Sequence, residues 1–260
     1  MKTLLHTGLL AGIMFALGLA GCATQPGSSP DQQPATRSQA SAKVHTELAA
    51  MYYERTQYGV ALEEIGKALH AEPNYAPAYN VRGLVNMALR EDQQAEEDFK
   101  HSLQLDGSDS GTLNNYGWFL CQRGKERDSI KQFMAALKNP LYTTPEKSYV
   151  NAAVCSRRSG NVKDAEEFLQ KALTLQPNMP EALLEMAEMS FANGDYAGAK
   201  SYFTRFAQIS APSSLTAENL WLAVRIERKA GDKNSEQSYA LQLRKRFPDS
   251  RENQLMQHEQ

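Results

Sequence analysis

Motifs that carry enzyme chemistry are missing from this sequence. Its 260 residues contain no His-Glu-x-x-His, no Gly-x-Gly-x-x-Gly, no P-loop and no Gly-x-Ser-x-Gly. The usual zinc-protease, dinucleotide, nucleotide and serine-nucleophile readings are therefore unsupported. Past the first 22 residues histidine occurs only at His45, His70, His101 and His258, none beside a cysteine or another histidine at ligand spacing, so no metal site is expected. Cysteine is scarce, with 3 in the chain: Cys22, Cys121 and Cys155. A formal net charge of -2 leaves no basic excess for nucleic acid. Runs that alternate apolar and polar residues are few, which argues against strands. No catalytic residue, cofactor or small-molecule substrate is expected. What remains is 42% hydrophobic residues, enough for a core, with Ala, Leu, Glu, Gln and Lys abundant, a composition that favours helix.

The chain opens with Lys2, then an apolar stretch from Leu4 to Ala20 broken by His6 and Thr7, then Leu19-Ala20-Gly21-Cys22. This is the layout of a secretory signal, and its end resembles a lipobox. That resemblance implies cleavage before Cys22 and a covalent lipid on its thiol and amine. Small residues admit the chain to the peptidase, and the thiol forms the thioether. The competing reading is an uncleaved membrane span, because the run approaches spanning length. The next residue is Ala23 and not Asp. By resemblance to sorted Gram-negative lipoproteins, this implies passage to the outer membrane, with the protein facing the periplasm. From Ala23 to Ala42 there are three prolines and no Leu, Ile, Val or aromatic residue. Such a segment buries too little to offset its ordering entropy, and it is expected to be a disordered tether reaching about 25 Å for roughly 20 residues.

Beyond it the sequence repeats itself. Alignment on Pro73, Pro177 and Pro248 yields a frame of about 34 residues, the tetratricopeptide-repeat (TPR) period. Small residues recur where paired helices must approach: Gly83, Gly117, Ala153 and Ala187 on first helices, and Ala61, Ala95, Ala165 and Ala199 on second helices. Gly124, Gly160, Gly194 and Gly231 fall where each first helix must stop, since glycine accepts the left-handed conformation there. The expected fold is all-α, a superhelical TPR solenoid of about six helix-turn-helix repeats. The organisation is a signal peptide over 1–21, lipidated cysteine and tether over 22–41, the repeats over 42–250 and a C-terminal tail over 251–260. Leu141 to Pro145 and Ser213 to Thr216 stretch two junctions, and the sixth repeat has Glu236 where Ala is expected, so it could cap the stack.

The acidic pairs Glu63-Glu64, Glu96-Glu97 and Glu166-Glu167 are read as a solvated convex face, and Arg244-Lys245-Arg246 as a charged last turn that complements the helix dipole. Cys121 and Cys155 lie at similar heights on neighbouring first helices. Two readings are open, a disulfide and two buried thiols, and an oxidising periplasm permits the preferred disulfide. First helices line the concave face of a TPR solenoid. The inward positions of the frame are Tyr53, Asn80, Leu84, Met87, Asn114, Trp118, Val150 and Val154, with Leu184 and Phe191 continuing the line. Apolar and aromatic residues with a few amides suit a groove for a peptide. Lys147 and Asn151 alone do not form a carboxylate clamp.

Three stretches narrow the family: Met51 to Arg55 with Ala61 to Leu69, Ala76 to Leu84, and the run Asn114-Asn115-Tyr116-Gly117-Trp118-Phe119-Leu120-Cys121 followed by Cys155 one repeat later. With the lipobox, tether and repeats, they resemble the type IV pilus biogenesis lipoproteins called PilF or PilW. The resemblance implies a pilotin, which localises the pilus secretin subunit to the outer membrane and promotes its multimerisation. The alternative is a TPR lipoprotein adaptor for outer-membrane protein assembly or cell-wall hydrolases.

Overall fold

The computed structural model describes residues 36–258; the expected signal peptide, Cys22 and most of the expected tether lie outside them. The described residues form thirteen α-helices, one 3-10 turn at Pro212–Ser214 and no strand. The helices are α1 (Arg37–Glu54), α2 (Tyr58–Ala71), α3 (Ala76–Leu89), α4 (Asp92–Leu105), α5 (Ser110–Gln122), α6 (Glu126–Ala136), α7 (Pro145–Arg158), α8 (Val162–Leu175), α9 (Pro180–Ala192), α10 (Tyr196–Ile209), α11 (Ala217–Ala230), α12 (Lys233–Arg246) and α13 (Arg251–His258). Each odd helix from α1 to α11 packs on the even helix after it, and α1, α3, α5 and α7 each touch the next odd helix in line. The result is six helical hairpins stacked as a TPR solenoid, with the odd helices lining the inner face.

Local chemistry sets these boundaries. Pro145 and Pro180 open α7 and α9, and Pro77 sits in the first turn of α3, where a missing N–H costs nothing. The side chains of Asn161, Asp195 and Asp232 accept a backbone N–H of the first turn of α8, α10 and α12. The turn inside every hairpin holds a left-handed residue or a close relative of one. Gly124, Gly160, Gly194 and Gly231 supply it at no steric cost, whereas Thr56 and Arg90 adopt φ of 58° and 66° with a side chain in place.

The core is built from the positions the repeat frame marks. Ala61, Ala95, Ala165 and Ala199 are fully buried, as are Phe99, Phe133 and Leu169. Each large side chain contributes about 1.5–3 kcal/mol relative to exposure. At Gly83 an added Cβ would lie 2.8 Å from the Phe99 ring, and at Gly117 it would lie 2.7 Å from the Phe133 ring. The two glycines therefore let a phenylalanine cross over the backbone of the paired helix.

Four expectations change. The first helix starts at Arg37, inside the expected tether, because Thr36 and Gln39 form a reciprocal capping box, with N–H to side-chain bonds of 3.1 and 3.2 Å. The segment after 250, expected to trail as a tail, is α13. It packs on α11 and α12 and buries Met256 completely, while Asn253 donates to the Pro248 carbonyl. Glu64 is not on a solvated face. It is buried between α1 and α2, with His45 Nδ1 and Lys67 Nζ each 2.6 Å from its oxygens, and those partners hold its carboxyl below the usual carboxylate range, Lys67 foremost. Arg246 does more than complement a dipole: it donates to the carbonyls of Pro212, Ser213 and Leu215, pinning the stretched connector before α11. The other stretched junction leaves Leu141 83% exposed. In the sixth repeat Glu236 takes the small-residue position by accepting from Arg228 Nε at 2.7 Å.

Cys121 on α5 and Cys155 on α7 are joined by a disulfide, with Cα atoms 5.8 Å apart. The bond links the inner helices of the third and fourth repeats.

Candidate functional site

The inner face is assembled from α1, α3, α5 and α7. Late in α1, Tyr53 is half-buried against the cluster of Ala49, Ala61, Ile65, Val81 and Val85. Its ring lies 6.1 Å from that of Tyr58. Burial raises its phenol pKa, helped by Tyr58. Leu84 and Met87 are also half-buried and pack against Phe99 of their own repeat and Tyr116 and Phe119 of the next, so each shows one flank to the groove and the other to the stack. Behind them burial pushes the Tyr116 phenol up to about 12, with Glu96 adding to the effect.

Trp118 rests on the disulfide and on Phe133 and Ala152. It is half-buried, and the Arg158 guanidinium lies 5.6 Å from its ring centre. Val154 is half-buried on the cluster that joins the fourth and fifth repeats. Val150 is 6% exposed, so it serves mainly as packing between those repeats and offers the groove only an edge.

The polar positions form a continuous row. Asn151 on α7 donates to Asn114 Oδ1 at 3.0 Å, which also accepts from Ser148 Oγ at 2.9 Å. Asn114 in turn approaches Asn115 Oδ1 at 3.5 Å, and Asn115 donates to Asn80 Oδ1 at 3.1 Å. An amide has two N–H donors, so each asparagine in the row keeps at least one donor unspent. Three helices packed about 8–10 Å apart place the row over roughly 20 Å, the length of about six extended residues. A cavity of about 400 Å³ opens beside it, lined by Asn114, Val150, Asn151 and Met179, with Lys147 and Glu181.

The structure thus brings together Asn80, Leu84, Met87, Asn114, Trp118 and Val154 along one face, with Tyr53 at the N-terminal end. Sequence reasoning missed Asn115, Ser148 and Asn151 as parts of it. Asn115 and Asn151 sit one repeat apart at matching heights, and that register was the available signal. Among the described residues, no group of three or more His, Cys, Asp and Glu could hold a metal ion.

Three comparisons bear on this arrangement. A tetratricopeptide-repeat family model matches residues 157–208. Type IV pilus assembly protein PilF of Pseudomonas aeruginosa is 28% identical over 246 residues, spanning 95% of this chain and 96% of that protein. A solved structure of P. aeruginosa PilF matches with a TM-score of 0.78 at 27% identity, over 86% of this chain and 100% of that one. The crystal structure of PilW, described as a widely conserved type IV pilus biogenesis factor, matches with a TM-score of 0.74 at 31% identity, over 83% of this chain and 97% of that one.

Proposed function

This chain belongs to the tetratricopeptide-repeat family of type IV pilus biogenesis proteins that includes PilF and PilW, and within it we propose that the protein is a pilotin. It is anchored in the outer membrane by a lipid on Cys22, faces the periplasm, and binds the pilus secretin subunit so that subunits reach the right membrane and multimerise there. The observation that carries this reading is the inner face of repeats one to four. Half-buried apolar side chains there flank a row of amides with unspent donors, a surface suited to one extended segment of a protein partner. Capture by a membrane-anchored groove raises the local concentration of each subunit where the ring must form. The role asks for binding and placement, not catalysis.

The test replaces Trp118 by Ala and Leu84 by Asp, separately, in the full-length protein. Both variants should keep their helical circular dichroism, and both should reduce secretin multimers in outer-membrane fractions with loss of pili. Anchor residues of this kind often carry about 2 kcal/mol or more each, so the reduction should be large. Cys22→Ala should abolish metabolic labelling by a palmitate analogue and misplace the protein. Normal, correctly placed secretin multimers in a strain lacking the protein altogether would exclude the pilotin role.

A further inference from the structure

We propose that the chain carries a second binding site, on the inner face of repeats five and six, which takes an acidic side chain of a partner peptide on Arg225. Seven arginines are half-buried. Six of them meet an oxygen acceptor: Arg82 on Asp98, Arg123 on Asp92, Arg157 on Glu188, Arg205 on the Pro177 carbonyl, Arg228 on Glu236, and Arg246 on three carbonyls. Arg225 meets none. Its guanidinium carbon lies 4.9 Å from the centre of the Phe191 ring and 5.5 Å from that of Trp221, and its Nε is buried without a hydrogen-bond partner.

Aromatic faces attract the charge but accept none of its five N–H groups along their usual directions. The group cannot escape by losing a proton, because an arginine in a protein stays charged. An unanswered charged donor is therefore held in place, and the Nη groups are what an incoming oxygen can reach, since the rings close off Nε. Arg225 lines a cavity of about 350 Å³ walled by Phe191 and Trp221, with room for a side chain and part of its neighbours. An end-on pair of charge-assisted bonds to a carboxylate is the natural occupant.

The remaining charges set what else the peptide must carry. Arg157 is spent on Glu185 and Glu188, at 2.7 and 3.0 Å. Glu218 on α11 and Glu252 on α13 also line the cavity, and neither has a cationic partner among the described residues. A bare polyanion would face two uncompensated carboxylates. A segment with a basic residue beside the acidic one answers both signs. The site uses α9, α11 and α13, with Arg157 at the end of α7 at its edge, and shares no residue with the amide row of Asn80, Asn114, Asn115 and Asn151, so substitutions at Arg225 test it independently of the groove reading.

The test pans the full-length protein against a phage-displayed library of random heptapeptides and measures the enriched peptides by calorimetry. Enriched sequences should place Asp or Glu within two residues of Lys or Arg. Arg225→Gln should weaken their binding about ten- to hundredfold, the loss of a charged hydrogen-bonded pair, and Arg225→Lys should fall between, having charge without the fork. Glu252→Gln should erase the preference for a basic neighbour and spare the acidic one. On the unaltered protein, Asp→Asn in the peptide should weaken binding as much as Arg225→Gln does. No enrichment, an enriched consensus without an acidic residue, or equal binding of the Asp and Asn peptides would each overturn the proposal.

Discussion

Gly117 shows how little slack single positions have. Its missing Cβ is the space into which the fully buried Phe133 ring projects, with 2.7 Å between them if the methyl were present. Phe133 is packed on all sides, so an added methyl must push backbone. Gly117→Ala gains helix propensity of about 1 kcal/mol yet should lose about 1–3 kcal/mol to overpacking, for a net fall in the urea unfolding midpoint. Glycine at exposed Gly66 has nothing within 4 Å of its virtual Cβ, and Gly66→Ala should raise the midpoint in the same assay. Asp232 illustrates an electrostatic constraint. Lys200 first, then the Ser235 backbone and hydroxyl, depress its carboxyl to about 2. A depressed carboxylate stabilises the fold above its unfolded pKa of about 4, and that contribution disappears as pH falls toward 2. Acid titration followed by circular dichroism should show a loss of stability over that window, and Asp232→Asn should flatten it.

At the scale of elements, the disulfide joins two helices that belong to different repeats. Cys121 and Cys155 are 34 residues apart, so the bond closes a loop of one repeat and should contribute about 2–4 kcal/mol by restricting the unfolded chain. Cys155→Ser should lose that amount in oxidising buffer, and reductant should bring the unaltered protein down to the same midpoint. A reductant-insensitive midpoint would show that the bond bears no load. The last helix makes a second case. Met256 on α13 is fully buried against α11 and α12, covering an end that would otherwise expose Leu243 and Ile226. Terminal caps protect the stack they close. Met256→Asp should therefore speed amide hydrogen exchange in α11 and α12 and leave α1 to α4 unchanged, since a solenoid passes strain mainly to its neighbours.

For the molecule as a whole, the architecture separates two kinds of surface. On the outer face, ions of the even helices pair along their own helix or with the neighbouring repeat, as Glu167 does with Lys171 and Glu96 with Lys100 and Lys125. The odd helices carry the half-buried aromatics, the amide row and Arg225. A long inner face with features at both ends can hold more than one segment of a partner, or segments of two, and occupancy of both would add avidity without new contacts.

Much of this was legible in the sequence because a repeat is a local object. Helix periodicity, small residues at helix crossings, glycines inside hairpins and prolines after them all act within a few residues or between a helix and its own partner, so six units and their frame could be read directly. The Thr36–Gln39 capping box is just as local, but it lies in an apolar-poor stretch whose composition reads as tether. Other features belonged to the tertiary structure alone. Asn80 and Asn115 meet across 35 residues, Glu64 is buried by a histidine 19 residues before it, and Arg246 reaches back more than 30 residues to the carbonyls it pins. Whether a polar side chain ends with its valences filled depends on which groups packing brings within about 3 Å. That is decided by the angle and spacing of helices from different repeats. The composition of Arg225's own helix says nothing of it, so only the folded stack distinguishes that arginine from the six that found an acceptor.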